Sequence, residues 1–309
     1  MGLRIIFMGT PEFAVASLEA ILSAGFKVVA VVTAPDRPGG RGMKPMESAV
    51  KKCANSHGLL VLQPEKLKDT AFLSELSSFQ ADLQVVVAFR MLPELVWNMP
   101  PRGTINLHGS LLPQYRGAAP INRAIMDGAT ETGVTTFRLK HEIDTGDILM
   151  RQTMHIGQDE TAGELHDRMK MIGAELLVET LRAIESEGEV ETPQDQIPIG
   201  DLRKAPKIFT EDCAIDWTHG AKQIHDQIRG LSPVPGAFTR FEGKMFKIFR
   251  SSYELIQHGQ PAGSVETSGN AYLKFATSDG WVCAHEIQLE GKKRMPVTDF
   301  LRGYKPLAR

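Results

Sequence analysis

Short apolar runs alternate with stretches of helical spacing along the first 90 residues of this chain. We expect strands over 3–8, 27–33, 59–62 and 83–89, and helices near 11–25, 46–57 and 69–79. Strands that alternate with helices favour a parallel sheet, because each connection must cross back over the sheet before the next strand pairs. The pattern therefore predicts an α/β fold with a Rossmann-like, doubly wound N-terminal domain.

The turn after the first strand argues against two common functions. Its sequence is Gly-Thr-Pro-Glu at 9–12, so it lacks Gly-x-Gly-x-x-Gly and predicts no dinucleotide site. The chain also lacks Gly-x-x-x-x-Gly-Lys-Ser/Thr, which leaves nucleotide hydrolysis without support. Within this turn we expect Thr10 to cap the first helix and Pro11 to be its first residue.

The pattern changes in the second half of the chain. A capping box, Thr-Ala-Gly-Glu at 161–164, predicts a long helix that ends near Gly188. Acidic and small residues with Pro193 follow, and they are typical of a solvated linker. Beyond them, one helix precedes short strand-like runs separated by turn residues, which predicts a small OB-like β-barrel. We therefore expect an N-terminal domain over 1–189, a linker over 190–207 and a C-terminal barrel over 208–309.

Charge is divided unevenly between the two ends of the chain. The formal net charge is −2, yet residues 203–309 hold 16 Lys and Arg against 11 Asp and Glu. A basic module joined to an acidic one suggests an anionic partner for the basic part. Ordinary scatter of charge along the chain would give the same count.

The cysteines and the apolar runs indicate the compartment. Cys53, Cys213 and Cys283 are isolated and the histidines form no zinc motif, so neither a disulfide framework nor a metal site is expected. No apolar run reaches the ~18 residues of a membrane span, and the amino terminus lacks the length and cleavage site of a signal peptide. We expect a cytoplasmic protein without a membrane partner.

Residues 104–120 carry the chemical information. Asn106 and His108 alternate with apolar residues, so on a strand both side chains lie on the same face. Gly109 ends the strand, and 110–113 leaves it as a proline-containing loop. An amide beside an imidazole suits acyl or formyl transfer, because the amide can donate to an oxyanion and the imidazole can carry charge or a proton. Two polar residues satisfied at a strand end would show the same pattern.

The motifs around these residues resemble those of a known enzyme family. Asn-x-His is followed by Ser-Leu-Leu-Pro-x-x-Arg-Gly, then by Thr-Gly-Val-Thr at 132–135 and Glu-Ile-Asp-Thr-Gly-Asp-Ile at 142–148. This order resembles the enzymes that use 10-formyltetrahydrofolate as formyl donor. The resemblance implies that residues 1–189 form a formyltransferase catalytic domain with the folate as co-substrate and no metal. It implies a catalytic set of Asn106, His108 and Asp144, and a folate-contacting loop of Ser110, Leu111, Leu112 and Pro113.

A basic, glycine-rich loop suggests which molecule accepts the formyl group. Residues 33–45 read Thr-Ala-Pro-Asp-Arg-Pro-Gly-Gly-Arg-Gly-Met-Lys-Pro. A flexible basic loop can adapt to a phosphate backbone or to the end of an RNA helix, although a solvated surface loop has the same composition. The loop resembles an insertion in the family members that formylate methionyl initiator tRNA. Ala-Pro-Lys-Ile at 205–208 resembles the domain junction of the same members. This resemblance implies tRNA contacts through Arg37, Arg41, Lys44 and Lys207.

The resemblance thus implies a translation-initiation enzyme that acts on the amino group of methionyl initiator tRNA. The C-terminal barrel would bind tRNA, and we expect a monomer. A sugar-amine formyltransferase is the alternative enzyme, and a non-catalytic RNA-binding protein with the same fold is the alternative from another class. Two positions depart from the family pattern: Arg90 follows Ala88-Phe89 where Ala-Tyr-Gly is usual, and Val234 stands between two prolines where Trp is common.

Overall fold

The computed structural model describes residues 2–39, 44–198, 200–269 and 271–303. The chain divides into two compact units. The α/β unit consists of Met1–Gly117, Gly133–Met154 and His166–Arg203, and the β unit of Ala118–Thr132, His155–Leu165 and Lys204–Arg309. Two short segments that precede residue 166 therefore belong to the β unit. The domain boundaries at 189 and 207 stay predictions.

The strands and helices predicted for the first 90 residues are present, and the structure contains further elements that the sequence patterns did not indicate. In the described residues the strands are β1 (Arg4–Gly9), β2 (Lys27–Val32), β3 (Arg37–Gly39), β4 (Lys44–Met46), β5 (Val61–Leu62), β6 (Leu83–Val87), β7 (Thr104–His108), β8 (Arg116–Gly117), β9 (Glu131–Arg138), β10 (Ile148–His155), β11 (Lys204–Ala205), β12 (Ala237–Phe241), β13 (Lys244–Glu254), β14 (Val265–Thr267), β15 (Leu273–Ala276), β16 (Trp281–Leu289) and β17 (Met295–Pro296). The helices are α1 (Glu12–Ser23), α2 (Ala49–Ser56), α3 (Thr70–Ser78), α4 (Glu94–Trp97), α5 (Pro120–Met126), α6 (Ala162–Glu185), α7 (Ala221–Gly230) and α8 (Val297–Gly303).

Seven of the described strands form the larger sheet, in the order β10-β9-β7-β6-β1-β2-β5. The pairs from β5 to β7 are parallel, and β9 is antiparallel to β7. The Rossmann-like prediction is confirmed. The sequence patterns did not predict β9 as a strand, because its six consecutive buried residues, 132–137, contain three threonines and a glycine but only one aliphatic side chain.

The turn after β1 differs from the prediction. Pro11 occupies the capping position of α1 in an extended conformation, and the helix begins at Glu12. The assignment of Thr10 as the cap and Pro11 as the first helical residue was wrong by one position. A Cβ at Gly9 would lie 2.7 Å from the Ala14 Cβ. The close approach of the turn to the helix therefore requires glycine there.

The capping box before α6 is confirmed. The Thr161 backbone N–H donates to Glu164 Oε2 (2.9 Å), and the Glu164 N–H donates to Thr161 Oγ1 (3.3 Å). These reciprocal bonds satisfy amide groups that a helix start leaves unpaired.

The β unit contains an antiparallel sheet in the order β12-β13-β16-β15-β14, with β17 paired to β16. Its inner face packs aromatic side chains, including Phe241, Phe246 and Phe275, against Ile224 and Ile228 of α7. The predicted OB-like C-terminal fold is confirmed as an antiparallel half-barrel. Among the helices that the structure describes, none combines the length and apolar character that crossing a bilayer requires.

Candidate active site

The strand β7 positions the first two candidate residues. It lies inside the sheet, where Asn106 is aligned with Val86 on β6 and with Phe137 on β9. Ile105 and Leu107 point away from the candidate face and are 0% and 3% exposed. Asn106 is half-buried. Because both neighbouring strands hold its backbone, β7 presents the Asn106 amide and the His108 ring from a fixed position.

His108 is a buried imidazole with one nitrogen already engaged. Its Nε2 lies 2.9 Å from the Tyr115 carbonyl oxygen. A carbonyl can only accept, so Nε2 carries the hydrogen of this bond and Nδ1 is the nitrogen that can gain or lose a proton. His108 Nδ1 lies 3.8 Å from Asp144 Oδ2. This distance is too long for a hydrogen bond but close enough for the carboxylate to stabilise a protonated ring.

Asp144 is held at both its side chain and its backbone. Its Oδ2 accepts a hydrogen bond from the Gly117 N–H (2.9 Å), and its carbonyl oxygen accepts one from Gln194 Nε2 (2.9 Å). Its φ of 55° lies in the left-handed region, which is uncommon for a residue other than glycine. Strained backbone of this kind is found preferentially at functional sites, and it persists only where surrounding contacts enforce it.

The predicted folate loop is tied to β9 through one threonine. Thr135 Oγ1 donates to the Ser110 carbonyl (2.7 Å) and accepts from the Leu112 N–H (3.1 Å). The side chains of Ser110, Leu112 and Pro113 are buried, while Leu111 is partly exposed. The loop therefore presents backbone groups and the Leu111 side chain to any ligand. This bonding also gives the Thr-Gly-Val-Thr motif a structural role.

The predicted tRNA-contacting residues belong to different units. Arg37 is exposed on β3, and Lys44 lies on β4 of the same antiparallel hairpin. Arg41 lies outside the described residues. Lys207 belongs to the β unit, where its Nζ lies 5.6 Å from the centre of the Phe209 ring.

The basic loop is a paired hairpin rather than an entirely irregular segment. At its base, Lys51 forms ion pairs with Asp36 and with Glu47, the latter at 3.3 Å. The hydrogen bond from Lys51 lowers the pKa of Asp36, and the same bond raises the pKa of Lys51. Because Asp36 precedes β3 and Glu47 follows β4, this lysine joins the two ends of the hairpin.

Sequence reasoning missed Gln194. This residue lies within the predicted solvated linker, yet it is only 4% exposed. Its Oε1 accepts from Arg116 Nε (3.0 Å) and Nη2 (2.6 Å), while its Nε2 donates to Asp144 and Gly146. The only available sequence signal was an uncharged glutamine among acidic residues after Pro193, and that signal is weak.

The expectation that no metal is needed stays a prediction. In the described parts of the chain, one set of possible ligands, Glu19, Cys53 and His57, has its ligand atoms within 4.8 Å of one another. Glu19 lies on α1, Cys53 on α2 and His57 directly after α2, and none of them is a candidate catalytic residue. Burial is the main cause that raises the pKa of the Cys53 thiol, which disfavours the thiolate that a metal would bind.

Comparisons with known proteins define the family. Residues 3–181 match the formyl transferase family, and residues 207–305 match the formyl transferase C-terminal domain. A protein from Parabacteroides distasonis, named methionyl-tRNA formyltransferase, is 51% identical over 99% of this chain and 97% of its own length. One of the same name from Porphyromonas gingivalis is 49% identical over 98% of this chain and 96% of its own. The chain belongs to the formyl transferase family.

A solved structure shows a similar fold at lower sequence identity. It is the N-formyltransferase from Helicobacter canadensis, in complex with folinic acid and dTDP-3-aminofucose. It is 20% identical to this chain, with a TM-score of 0.70 over 95% of this chain and all of that one. At this identity the likeness supports the fold alone.

Proposed function

We propose that this protein transfers the formyl group of 10-formyltetrahydrofolate to the free amino group of methionyl initiator tRNA, for translation initiation. The identity of about 50% to relatives named methionyl-tRNA formyltransferase, over nearly their full length, supports this acceptor. The observation that carries the chemistry is the buried contact of His108 Nδ1 with Asp144 Oδ2 at 3.8 Å, beside Asn106 on the same strand face.

The reaction moves one formyl group between two nitrogens. The α-amino nitrogen of the methionyl ester attacks the formyl carbon of the folate, and a tetrahedral intermediate forms. The bond from that carbon to N10 then breaks, so that N10 gains the proton that the attacking amine loses. No metal is required for this route, because the formyl group is already activated and the acceptor is a neutral amine.

Three side chains carry out this chemistry in our proposal. Asn106 donates a hydrogen bond to the oxyanion of the intermediate, where charge develops in the transition state. His108 holds a proton at Nδ1, which stabilises the oxyanion and helps N10 to leave. Asp144 stabilises that protonated ring and orients it, because its carboxylate is itself held by the Gly117 N–H.

Binding of the substrates is divided between the two units. The backbone of Ser110–Pro113 shapes the folate site, since most of its side chains are buried. Arg37, Arg41, Lys44 and Lys207 contact the tRNA, because cationic side chains attract its phosphates. The C-terminal barrel over 208–309 adds a second tRNA-binding surface to the catalytic domain over 1–189, with 190–207 as linker. We propose a cytoplasmic monomer.

Formyl transfer with three acceptors tests this proposal. Purified protein is mixed with 10-formyltetrahydrofolate and methionyl initiator tRNA, methionyl elongator tRNA, or a nucleotide-linked amino sugar. We expect rapid formylation of the initiator tRNA only, and its loss in the His108→Ala variant. Formylation of the sugar in preference to the tRNA would identify a sugar-amine enzyme. Absence of transfer to every acceptor, with intact tRNA binding, would indicate a non-catalytic RNA-binding protein.

A further inference from the structure

Three consecutive residues bond to His108, to Asp144 and to Gln194, the side chain that holds the Asp144 loop. We call residues 115–117 the strap. The Tyr115 carbonyl accepts from His108 Nε2 at 2.9 Å, and the Gly117 N–H donates to Asp144 Oδ2 at 2.9 Å. Between them, the Arg116 side chain donates twice to Gln194 Oε1. The strap itself is anchored, since the Tyr115 N–H donates to the Arg203 carbonyl at 2.8 Å.

Gln194 completes this arrangement by binding the main chain around Asp144. Its Nε2 donates to the Asp144 carbonyl at 2.9 Å and to the Gly146 carbonyl at 2.7 Å. The carboxylate of Asp144 and the main chain of its loop are thus both linked to the strap, the first directly and the second through Gln194. The glutamine uses both donor hydrogens on the loop and its acceptor on Arg116, so its amide orientation is determined.

The loop needs this support for a physical reason. Asp144 has a φ of 55°, and a Cβ at Gly146 would lie 1.6 Å from the Arg138 carbonyl oxygen. The loop therefore packs tightly against β9 while its aspartate takes an unfavourable conformation. Two hydrogen bonds from one buried side chain hold the carbonyls on both sides of Thr145. Without them, relaxation of the backbone would move the Asp144 carboxylate relative to His108 Nδ1.

We propose that Gln194 is a positioning residue that, through Arg116, sets the place of the Asp144 carboxylate beside His108. This inference rests on the proposed function for its kinetic consequence but not for its structural one. Gln194 touches no substrate in this scheme, and it acts only through the loop. Misplacing a reacting group by about 1 Å costs roughly 10²-fold in rate, so a change at Gln194 should affect kcat.

Two substitutions separate the bonds that Gln194 makes. Gln194→Met keeps the length of the side chain but removes both donors and the acceptor. Gln194→Glu keeps the acceptor and adds an ion pair with Arg116, which maintains the packing, but turns an oxygen toward two carbonyls. The matched control is Gln196→Met, because Gln196 lies in the same short helical turn (Gln194–Gln196) and is exposed.

The expected result is a fall in kcat for formyl transfer of about 10–10²-fold in both Gln194 variants. KM for the folate and for the tRNA should change little. Both variants lose two buried hydrogen bonds, so their thermal unfolding midpoints should fall, and kcat is compared at a temperature where every protein is folded. Gln196→Met should match the wild type in every respect. An unchanged kcat in both Gln194 variants would overturn the proposal. A fall in kcat that follows only from loss of thermal stability would overturn it as well.

A substrate-free measurement keeps this test separate from the proposed function. The Gly117 amide bonds to Asp144 Oδ2, so its hydrogen exchange reports where the carboxylate lies. We expect faster exchange at Gly117 in both Gln194 variants than in the wild type and in Gln196→Met. Unchanged protection at Gly117 would overturn the positioning role, whatever the kinetics. If the wild type transferred no formyl group, the proposed function would fail while the exchange measurement still decided the role of Gln194.

Discussion

The strap at 115–117 and the basic hairpin formed by β3 and β4 both belong to the α/β unit, but they are held to very different extents. Each residue of the strap bonds to a different side chain of the candidate site, and His108, Asp144 and Gln194 are all less than a tenth exposed. The hairpin carries the exposed Arg37, and Lys51 joins its two ends at the base.

The difference corresponds to the two tasks that the protein performs in our proposal. Formyl transfer requires atoms placed to within a fraction of an ångström, so hydrogen bonds must fix the residues before substrate arrives. Contact with an RNA surface tolerates adjustment, because cations attract phosphates over several ångströms and without a fixed geometry. Substitutions in the strap region should therefore lower kcat, and those in the hairpin should raise KM for tRNA.

The largest effect is expected at the buried pair. His108→Ala and Asp144→Ala should each lower kcat by about 10²–10⁴-fold, because each removes part of one proton-transfer unit. The kcat of the double variant should be little lower than that of the less active single variant, since the effects of groups that act as one unit are strongly non-additive. Single-turnover formylation rates of the wild type, the two single variants and the double variant give the double-mutant cycle. Losses that multiply would mean that the two residues act independently.

Asn106 should come next in size. Asn106→Ala should lower kcat by about 10²–10³-fold, the usual cost of removing one oxyanion donor. KM for both substrates should stay close to the wild-type value, because the amide is offered to a charge that is present mainly in the transition state. The matched control is Asn98→Ala, at an exposed asparagine after α4. Steady-state kinetics measure this effect. A wild-type kcat in Asn106→Ala would show that this residue takes no part in the mechanism.

The hairpin should give a smaller effect of a different kind. Arg41→Leu should raise KM for initiator tRNA and lower the slope of log KM against log salt by about 1, as expected for one lost phosphate contact. KM for the folate should stay unchanged. Lys68→Leu, at an exposed lysine after β5, is the control. Weaker folate binding with normal tRNA dependence would show that the loop serves the other substrate.

The smallest effect is expected at the base of the hairpin. Lys51→Met removes both ion pairs that join its ends, so the hairpin should sample more conformations and KM for tRNA should rise a few-fold. Lys52→Met is the control, at the adjacent exposed lysine.

The pKa of Asp36 is lowered in the folded protein, so Asp36 stays ionised at and above its ordinary titration range. The ion pair is lost only as pH falls through that lowered pKa, and the effect of Lys51→Met should therefore be constant across neutral pH.

Much of the fold followed from local patterns. The apolar runs of the first 90 residues and the capping box at 161–164 indicated elements that the structure contains. These patterns are reliable because periodicity and capping depend on residues close in the chain. Pro11 shows the limit, since it caps α1 one position before the helix begins, whereas the sequence predicted it as the first helical residue.

The candidate site, like the fold, was predictable from local sequence only in part. The alternation in β7 by itself placed Asn106 and His108 on one face, because side chains of a strand alternate without help from the rest of the fold. The approach of Asp144 to His108 was implied only by resemblance, and Gln194 was read as part of a linker. Their positions depend on hydrogen bonds between segments far apart in sequence. Local sequence therefore determined which chemical groups the strand presents, while only the tertiary structure decided which nitrogen of His108 is free and what holds Asp144 beside it.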